Sequence, residues 1–394
     1  MKITVPTIDF GTSKIVTMVA QSNGERCDIV GSGAVPYSGY LQDGWNNPDE
    51  IRDVIRTAID QAQKTGNCRI HELNVGVPGM FTRVIVKEVH VSLTGPDPHV
   101  TAQDVRACFK LAEESGGDRI IHSAPAWFRV DDGKKTLSPV GIKGRELSAM
   151  IALVTADKYF IDDITYRLRD MDIEPREFYS TVAGEATYAL SQDERDKTAM
   201  LIDIGYLCTD VMVMEGDALI FHKCLDIGGG HISADIAEQL NIPFPFVEEK
   251  IKQTYSFNST NQDETYVIPA TEDEPARTVR RDEVTPIIEA KVKEIAEAIN
   301  KALEEGGVKL GKWSNVYLTG GGLILNKGGK DFLAGKLHRI IREAQRTNNK
   351  MTSHVFSSAV GLTILVVTTQ EEQKAPEGGA KGLFSRAFRW LMGY

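Results

Sequence analysis

The order of apolar and polar positions predicts a chain in which strands and helices alternate. Residues 3–9 and 15–20 are apolar segments on either side of a short turn, which is the pattern of a strand–turn–strand unit. Between residues 48 and 64, apolar side chains recur every three or four positions, which predicts a helix with one buried face and Asn47 as its N-cap. By the same criteria we expect strands at 73–77, 83–91, 118–130, 146–155 and 316–319, and helices at 101–114, capped by Thr101, and at 282–305.

The opening unit recurs near the middle of the chain. Residues 199–213 again show a strand, a turn and a strand. The turns follow the same kind of tripeptide, Asp9-Phe10-Gly11 in the first unit and Asp203-Ile204-Gly205 in the second. One supersecondary unit repeated about half a chain apart predicts two related α/β lobes.

Composition and charge narrow the class of protein. The 394 residues suffice for two domains, and the formal net charge of −10 argues against nucleic acid as a partner. The five cysteines contain no Cys-x-x-Cys pair and the eight histidines are dispersed, so we expect reduced thiols and no structural metal. The start carries no signal-peptide pattern, and the longest apolar run, around 359–367, is far shorter than the roughly 20 residues of a spanning helix. We therefore expect a protein that is neither secreted nor transmembrane.

The two aspartate–x–glycine turns suit phosphate binding. In the first, Gly11 permits a tight turn whose backbone N–H groups, with those of Thr12 and Ser13, can face phosphate oxygens, while Lys14 adds a positive charge. Asp9 can hold Mg²⁺ through water. An ordinary hairpin turn is the alternative. A second turn with Asp203 and Gly205 favours the functional interpretation, because two such loops could clamp one nucleotide and its metal from both sides.

Two further features fit a nucleoside. Gly320, Gly321 and Gly322 follow a predicted strand, and a backbone without side chains allows close approach to an adenosine. Glu249 and Lys252 lie three apart on one predicted helical face and could bracket a ribose. The alternatives are an ordinary strand-to-helix turn and a solvated ion pair.

These residues resemble the actin, Hsp70 and sugar kinase superfamily and, across nearly the whole chain, the FtsA family of bacterial cell division proteins. The stretches that carry the resemblance are residues 9–14, 31–33, 58–62, 138–142, 235–237, 318–321 and 358–362. It implies an α/β, actin-like two-lobed fold, a duplicated ribonuclease H-like core with an FtsA-type inserted subdomain. The implied divisions are a first lobe at 1–79, 164–195 and 346–369, the insertion at 80–163, a second-lobe core at 196–235 and 312–345, and its outer subdomain at 236–311.

The resemblance also implies a function. It implies that ATP and Mg²⁺ bind between the lobes, with Asp9 and Asp203 on the metal, that the chain polymerises, and that late division proteins dock on the insertion. It places Arg281 and Lys291 at basic positions that receive the acidic C-terminal tail of FtsZ, although both fit a solvated helix face equally well. The second loop departs from the family's Asp-x-Gly-Gly-Gly-Thr at Tyr206, Leu207 and Cys208. Side chains on Tyr206 and Leu207 would crowd a backbone that must approach phosphate closely, and Cys208 replaces a hydroxyl, so whether ATP is hydrolysed stays open.

The end of the chain has the pattern of a membrane anchor. Residues 370–382 are polar with Pro376, Gly378 and Gly379, which predicts a flexible linker. On a helix beyond it, one face would be apolar and aromatic and the other basic, as in helices that lie in a membrane interface. The residues concerned are Leu383, Phe384, Phe388, Trp390 and Leu391 on or beside the apolar face, with Arg386 and Arg389 opposite. A single tail of this kind should bind anionic lipid weakly. A polymer would present many tails at once and so attach stably to the membrane.

Two other functions remain as alternatives. A small-molecule kinase of the superfamily requires a catalytic aspartate base, and none is evident in the sequence. A type IV pilus assembly protein similar to PilM would share the inserted subdomain but lack the C-terminal membrane helix. The expected location is the cytoplasmic side of the membrane at the division site.

Overall fold

A computed structural model describes residues 3–24, 26–41, 44–117, 119–261, 263–270, 275–311, 314–344 and 353–373. They form two compact units. The first contains the described residues of 1–200, 212–222 and 345–394, and the second contains those of 201–211 and 223–344.

The secondary structure alternates as predicted. The strands are β1 Ile3–Phe10, β2 Lys14–Ser22, β3 Cys27–Pro36, β4 Tyr40–Leu41, β5 Gly44–Trp45, β6 Glu72–Val77, β7 Thr82–Ser92, β8 Ile120–Val130, β9 Glu146–Ala156, β10 Glu174–Ser180, β11 Ala199–Ile204, β12 Thr209–Glu215, β13 Ala218–Leu225, β14 Thr265–Ile268, β15 Arg277–Arg280, β16 Asn315–Thr319 and β17 Ile341–Glu343. The α-helices are α1 Ile51–Gly66, α2 Ala102–Glu114, α3 Lys158–Arg169, α4 Thr181–Ala189, α5 Gln192–Arg195, α6 Gly229–Leu240, α7 Phe244–Phe246, α8 Arg281–Glu305, α9 Gly329–Leu337 and α10 Ser357–Gln373. Short 3₁₀ turns span Gly79–Phe81 and His354–Phe356, and a π-helical turn spans Val247–Lys252.

Two five-stranded sheets repeat one topology. The first has the order β10-β6-β1-β2-β3, and the second, written in the same direction, has the order β17-β16-β11-β12-β13. In each sheet three strands consecutive in sequence lie side by side, and two later strands extend the edge beyond the first of them. In the first sheet β2 is antiparallel to β1 and β3, whereas β6 and β10 run parallel to β1 and to each other. The duplication predicted from the repeated turn is therefore present at the level of whole sheets.

Helix α1 covers the first sheet with the predicted face. Its buried residues are those of the apolar pattern, Ile51, Val54, Ile55, Ala58, Ile59 and Ala62. The predicted cap was wrong: the N-cap is Glu50, with no capping hydrogen bond, and the Asn47 amide donates to the Glu50 carboxylate at 3.2 Å. A turn at Asp49 and Glu50 delays the helix, because the apolar pattern that anchors it begins only at Ile51.

The insertion forms a separate layered element within the first unit. Its three strands have the order β7-β9-β8, and α2 buries Val105, Cys108 and Ala112 in the hydrophobic core formed with them. Thr101 caps α2 as predicted, accepting from the Asp104 N–H at 3.3 Å while the Asp104 carboxylate accepts from the Thr101 N–H at 2.8 Å.

The predicted end of the insertion at residue 163 falls inside α3. Phe160, Ile164 and Leu168 of this helix are buried with Ile8 and Phe10 of β1, so α3 belongs to the core of the first sheet. The stretch Met212–His222, assigned from the sequence to the second lobe, groups with the first unit. Its physical contact there is with β8, since the Asp217 N–H donates to the Pro125 carbonyl at 3.0 Å.

In the second unit, α8 is the long helix predicted from residues 282–305. Its apolar positions Ile287, Ile288, Val292, Ile295, Ala296 and Ile299 are all buried. A two-stranded antiparallel hairpin of β14 and β15 precedes it.

The predicted linker begins too early. Residues 370–373 are helical, and the Gln370 side chain is buried and donates to the Asn74 carboxamide at 3.3 Å. The rest of the linker and the amphipathic segment at 383–394 lie outside the described residues. Within the described ranges, none of the helices has the length and apolar character required to span a bilayer.

Arg195 is a fully buried cation of the first unit. Its side chain has no exposed surface, donates to the carbonyls of Leu190 at 2.7 Å and Gly216 at 3.0 Å, and pairs with Asp217 at 3.1 Å. Replacing Arg195 by Met leaves these acceptors buried without the guanidinium. We expect Arg195→Met to lower the free energy of unfolding by about 3–5 kcal/mol, measured by urea denaturation followed by circular dichroism.

Arg176→Met is the matched control. Arg176 pairs with Glu72 at 2.9 Å, but both side chains are about half exposed, so its loss should cost less than about 1 kcal/mol. Equal urea midpoints for the two variants would contradict an anchoring role for Arg195.

Candidate functional site: two aspartate–glycine loops

The first loop is a tight turn between β1 and β2. The strands pair in register up to Phe10 and Ile15, and the Gly11 N–H donates to the Lys14 carbonyl at 3.0 Å. Thr12 is buried, whereas Gly11 and Ser13 are partly exposed at the turn. The predicted residues 9–14 therefore form one local structure.

Two tyrosines that the sequence analysis missed hold this loop from behind. The Tyr37 hydroxyl donates to the Gly11 carbonyl at 2.7 Å, and the Tyr37 N–H donates to the Ser13 carbonyl at 3.2 Å. The Tyr40 hydroxyl donates to the Phe10 carbonyl at 2.8 Å. Both tyrosines follow β3, and only the return of β3 along β2 brings them to the loop. No local sequence signal could have identified them.

Asp9 is a buried carboxylate at the base of the loop. It is 3% exposed, and its carboxylate accepts a hydrogen bond from the Ser358 hydroxyl, at the start of α10, at 2.7 Å. Burial raises the pKa of Asp9, although the Ser358 hydrogen bond and the positive charge of Lys14 oppose the shift. The Lys14 ammonium lies 5.2 Å from the centre of the Phe356 ring. Ser358 was among the stretches that carried the family resemblance, but its contact with Asp9 was not foreseen.

The second loop repeats the first turn. The Gly205 N–H donates to the Cys208 carbonyl at 2.9 Å, the counterpart of the bond from Gly11 to Lys14. The main chain of this loop, at Gly205 and Tyr206, packs against glycines of the neighbouring helix. At the start of α6, the Gly229 N–H donates to the Gly205 carbonyl at 2.8 Å and the Gly230 N–H to the Tyr206 carbonyl at 2.7 Å.

The predicted glycine turn lies against the second loop. The Gly322 N–H donates to the Ile204 carbonyl at 2.7 Å. Gly320 has φ +86°, and a Cβ there would lie 1.9 Å from the Asp203 carboxylate oxygen and 2.4 Å from the Ile204 carbonyl. Asp203, Gly205, Gly320, Gly321 and Gly322 are thus brought together in one unit. The absence of side chains at this turn is what lets it pack directly against the second loop.

The predicted placement of Glu249 and Lys252 on one helical face is wrong. Glu249 is exposed, whereas Lys252 is buried and pairs with Glu248 at 3.2 Å. The π-helical turn at Val247–Lys252 changes the spacing on which the prediction rested. Burial lowers the pKa of Lys252, with the Glu248 carboxylate opposing the shift. The Lys252 ammonium lies 5.8 Å from the Tyr206 ring, so it still faces the second loop.

Arg281 is buried, so it is not the accessible cation that binding of an acidic peptide requires. It is 3% exposed, pairs with Glu264 at 3.0 Å, donates to the Ser256 carbonyl at 2.6 Å and stacks 4.3 Å from the Tyr255 ring. The neighbours that enclose it come from other segments of the chain.

Lys291 is partly exposed but already paired. Its ammonium lies 3.0 Å from the Asp235 carboxylate and 2.6 Å from that of Glu294. Burial alone would lower the pKa of Lys291, but hydrogen bonds with Glu294 and Asp235 raise it. An acidic ligand would have to displace these two carboxylates.

Two sheets of one strand order, each with an Asp-x-Gly hairpin turn, define an actin-like fold. An α/β subdomain is inserted in the first unit. The PilM–PilN type IV pilus biogenesis complex has a TM-score of 0.61 at 18% identity, covering 93% of this chain and 99% of that one. MreB5 of Spiroplasma citri bound to ADP has a TM-score of 0.55 at 11% identity, covering 95% of this chain and 99% of that one. These likenesses confirm the predicted fold class.

The sequence relationships identify the family. Residues 200–361 match the family model for cell division protein FtsA, and residues 79–155 match the model for the SHS2 domain inserted in FtsA. The cell division protein FtsA of Pseudomonas aeruginosa is 24% identical over 98% of this chain and 97% of its own length. That of Bacillus subtilis is 25% identical over 76% of this chain and 70% of its own length. The chain belongs to the FtsA family of cell division proteins.

The close approach at Gly320 predicts a sharp sensitivity to a single methyl group. Gly320→Ala places a Cβ against Asp203 at a positive φ, so we expect the free energy of unfolding to fall by about 1–3 kcal/mol. Urea denaturation of the purified variant measures this.

Gly335→Ala in the interior of α9 is the control. No atom lies within 4 Å of a Cβ built there, so the variant should gain about 0.5–1 kcal/mol from helix propensity. A Gly320→Ala protein as stable as the parent would show that the loops do not meet as described.

Proposed function

We propose that this chain binds ATP with Mg²⁺, polymerises on the inner face of the cytoplasmic membrane at the division site, and tethers FtsZ there. The observation that supports this most is the pair of loops of one construction, one with Asp9 buried at its base and the other enclosed by glycine backbone. Membership in the FtsA family supports the cellular role.

The loops suggest how a nucleotide would be held. Gly11, Thr12, Ser13, Lys14 and Gly205 would face the phosphates, and the turn at Gly320, Gly321 and Gly322 would face the adenosine. Asp9 and Asp203 would hold Mg²⁺ through water, and the cation would neutralise phosphate charge. Tyr206 and Leu207 keep the turn geometry but bring side chains to the loop, so we propose at most weak ATP hydrolysis.

The burial of Asp9 supports a role for a cation. An ionised carboxylate at 3% exposure is unfavourable unless a positive charge lies nearby, and its raised pKa reflects that cost. Lys14 offsets the cost in part. A carboxylate buried at a cost to stability is typical of a site adapted to a ligand and not to fold stability.

The Asp9→Asn variant therefore distinguishes an effect on Mg²⁺–ATP binding from an effect on the stability of the fold. We expect Asp9→Asn to weaken Mg²⁺–ATP binding about tenfold or more, since a hydrogen bond to a charged group contributes about 1.5–3 kcal/mol. Because the folded state raises the pKa of Asp9, its ionised form destabilises the fold above that pKa, and the variant's melting temperature should be unchanged or higher. Fluorescent-nucleotide titration and differential scanning fluorimetry measure the two quantities.

For the parent protein, lowering the pH toward that raised pKa should weaken Mg²⁺–ATP binding, since protonation removes the charge of Asp9. Asp28→Asn is the control: Asp28 is partly exposed and pairs with Arg26 at 2.9 Å, and its replacement should leave affinity unchanged. Unaltered affinity in Asp9→Asn would remove Asp9 from the proposed site.

The FtsZ-binding part of the proposal rests on Lys291 alone, because Arg281 is enclosed. An acidic tail that bound there would exchange with Asp235 and Glu294, one carboxylate for another. Such an exchange releases little net electrostatic energy, so binding would be modest and sensitive to salt.

The membrane part of the proposal rests on the sequence of residues 383–394. We expect the full chain to sediment with anionic vesicles and a chain ending at Gly382 to sediment no more than it does without vesicles, since the apolar face of the tail is lost. Ser385→Ala on the polar face is the control and should still sediment. Equal sedimentation of the truncated chain would exclude the tail as the anchor and favour the PilM-like alternative.

A further inference from the structure

The second loop leads directly into a cluster of metal-ligating side chains. Cys208 ends the loop, Asp210 is the second residue of β12, and Cys224 lies near the end of β13. One ligand atom from each, the two Sγ atoms and a carboxylate oxygen, lies within 4.8 Å of the other two. Two thiols and a carboxylate at this separation form a potential three-ligand set.

The backbone around the cluster is held firmly. Thr209, between two of the three residues, is fully buried and its hydroxyl donates to the Ile227 carbonyl at 2.7 Å. The Cys208 carbonyl accepts from the Gly205 N–H at 2.9 Å. A Cβ on Gly228 would lie 2.9 Å from the Cys208 nitrogen, so α6 begins directly against the same residue.

The cluster is partly buried and partly accessible to solvent. Cys208 is 8% exposed, whereas Asp210 and Cys224 are partly exposed. An ion could therefore enter from the side of Asp210 and Cys224.

The donor atoms of the three side chains determine which cation the cluster would bind. Thiolate sulfur favours soft or borderline metals, and two sulfurs with one carboxylate fit tetrahedral Zn²⁺ better than Mg²⁺ or Ca²⁺, which take oxygen ligands. Two sulfurs on one zinc ion lie about 3.8 Å apart, as follows from Zn–S bonds of about 2.3 Å at a tetrahedral angle. Movements of an ångström or so convert the observed cluster into that geometry.

We propose that Cys208, Asp210 and Cys224 bind a zinc-class divalent cation. Binding forms two metal–sulfur bonds and one metal–oxygen bond, releases the two thiol protons to solvent, and leaves the fourth position to water. No electron is transferred. The ion would fix the carbonyl of Cys208 and, through it, the turn at Gly205, so that metal binding would stiffen the second aspartate–glycine loop.

Cobalt is the probe, because Co²⁺ replaces Zn²⁺ in thiolate sites and its bonds to sulfur absorb in the near ultraviolet. Full-length protein, reduced and stripped with chelator, should take up one equivalent of Co²⁺ with a thiolate–cobalt band, and Zn²⁺ should bleach it. Cys224→Ser should weaken binding about a hundredfold or more, since loss even of an outer-shell partner costs 10–100-fold. Cys208→Ser should do the same, with circular dichroism to confirm folding. Asp210→Asn should weaken binding but keep the sulfur–cobalt band.

Cys68→Ser, a partly exposed cysteine in the first unit, is the matched control and should bind as the parent does. Absence of a thiolate–cobalt band at stoichiometric metal would overturn the proposal. So would equal loss of binding in Cys68→Ser. A disulfide between Cys208 and Cys224 found by mass spectrometry in a protein that takes up no metal would also refute it, in favour of a redox pair.

Discussion

Close contact between main-chain segments is the constraint on which the second unit depends. The carbonyls of Ile204, Gly205 and Tyr206 accept hydrogen bonds from Gly322, Gly229 and Gly230, so three segments distant in sequence meet at one loop. Two of the glycines leave no room for a side chain, because a methyl group at Gly322 would lie 2.3 Å from the Gly205 carbonyl and one at Gly229 would lie 2.4 Å from the Gly322 Cα. The loop can therefore carry Tyr206 and Leu207 and still keep its turn, because the glycines that give it room lie on α6 and after β16.

Buried and partly buried charged groups differ in whether the fold supplies a partner of opposite charge. Arg195, Lys252, Arg281 and Lys291 each have a carboxylate partner within 3.2 Å, so the fold compensates its cations internally. Asp9 differs, since its carboxylate receives a hydroxyl donor but is buried enough for its pKa to rise. A carboxylate destabilised in this way gains from a bound cation, which is the electrostatic argument for placing a metal-bound nucleotide at the first loop.

Local patterns predicted the elements that have a clear periodicity or cap. The buried face of α1, the Thr101 cap and the buried positions of α8 all follow from periodicity or from side chains within one turn of each other. Predictions were wrong where contacts with a segment distant in sequence determine the local structure. Residue 163 is not a boundary because α3 packs on β1, and Arg281 is not a surface cation because Tyr255, Ser256 and Glu264 enclose it. Glu249 and Lys252 do not share a helical face because a π-helical turn changes their spacing.

The sequence by itself determined the two aspartate–glycine turns, the duplicated α/β plan, the insertion and the family, since each depends on residues that are neighbours along the chain or on order along it. Only the tertiary structure decided which side chains meet. Ser358 reaches Asp9 across 349 positions, Tyr37 reaches Gly11 by the return of β3, and Cys224 meets Cys208 across a hairpin. Strand register and helix packing set these contacts through space, and a chain without Cys-x-x-Cys spacing gives no local sign of two thiols brought together.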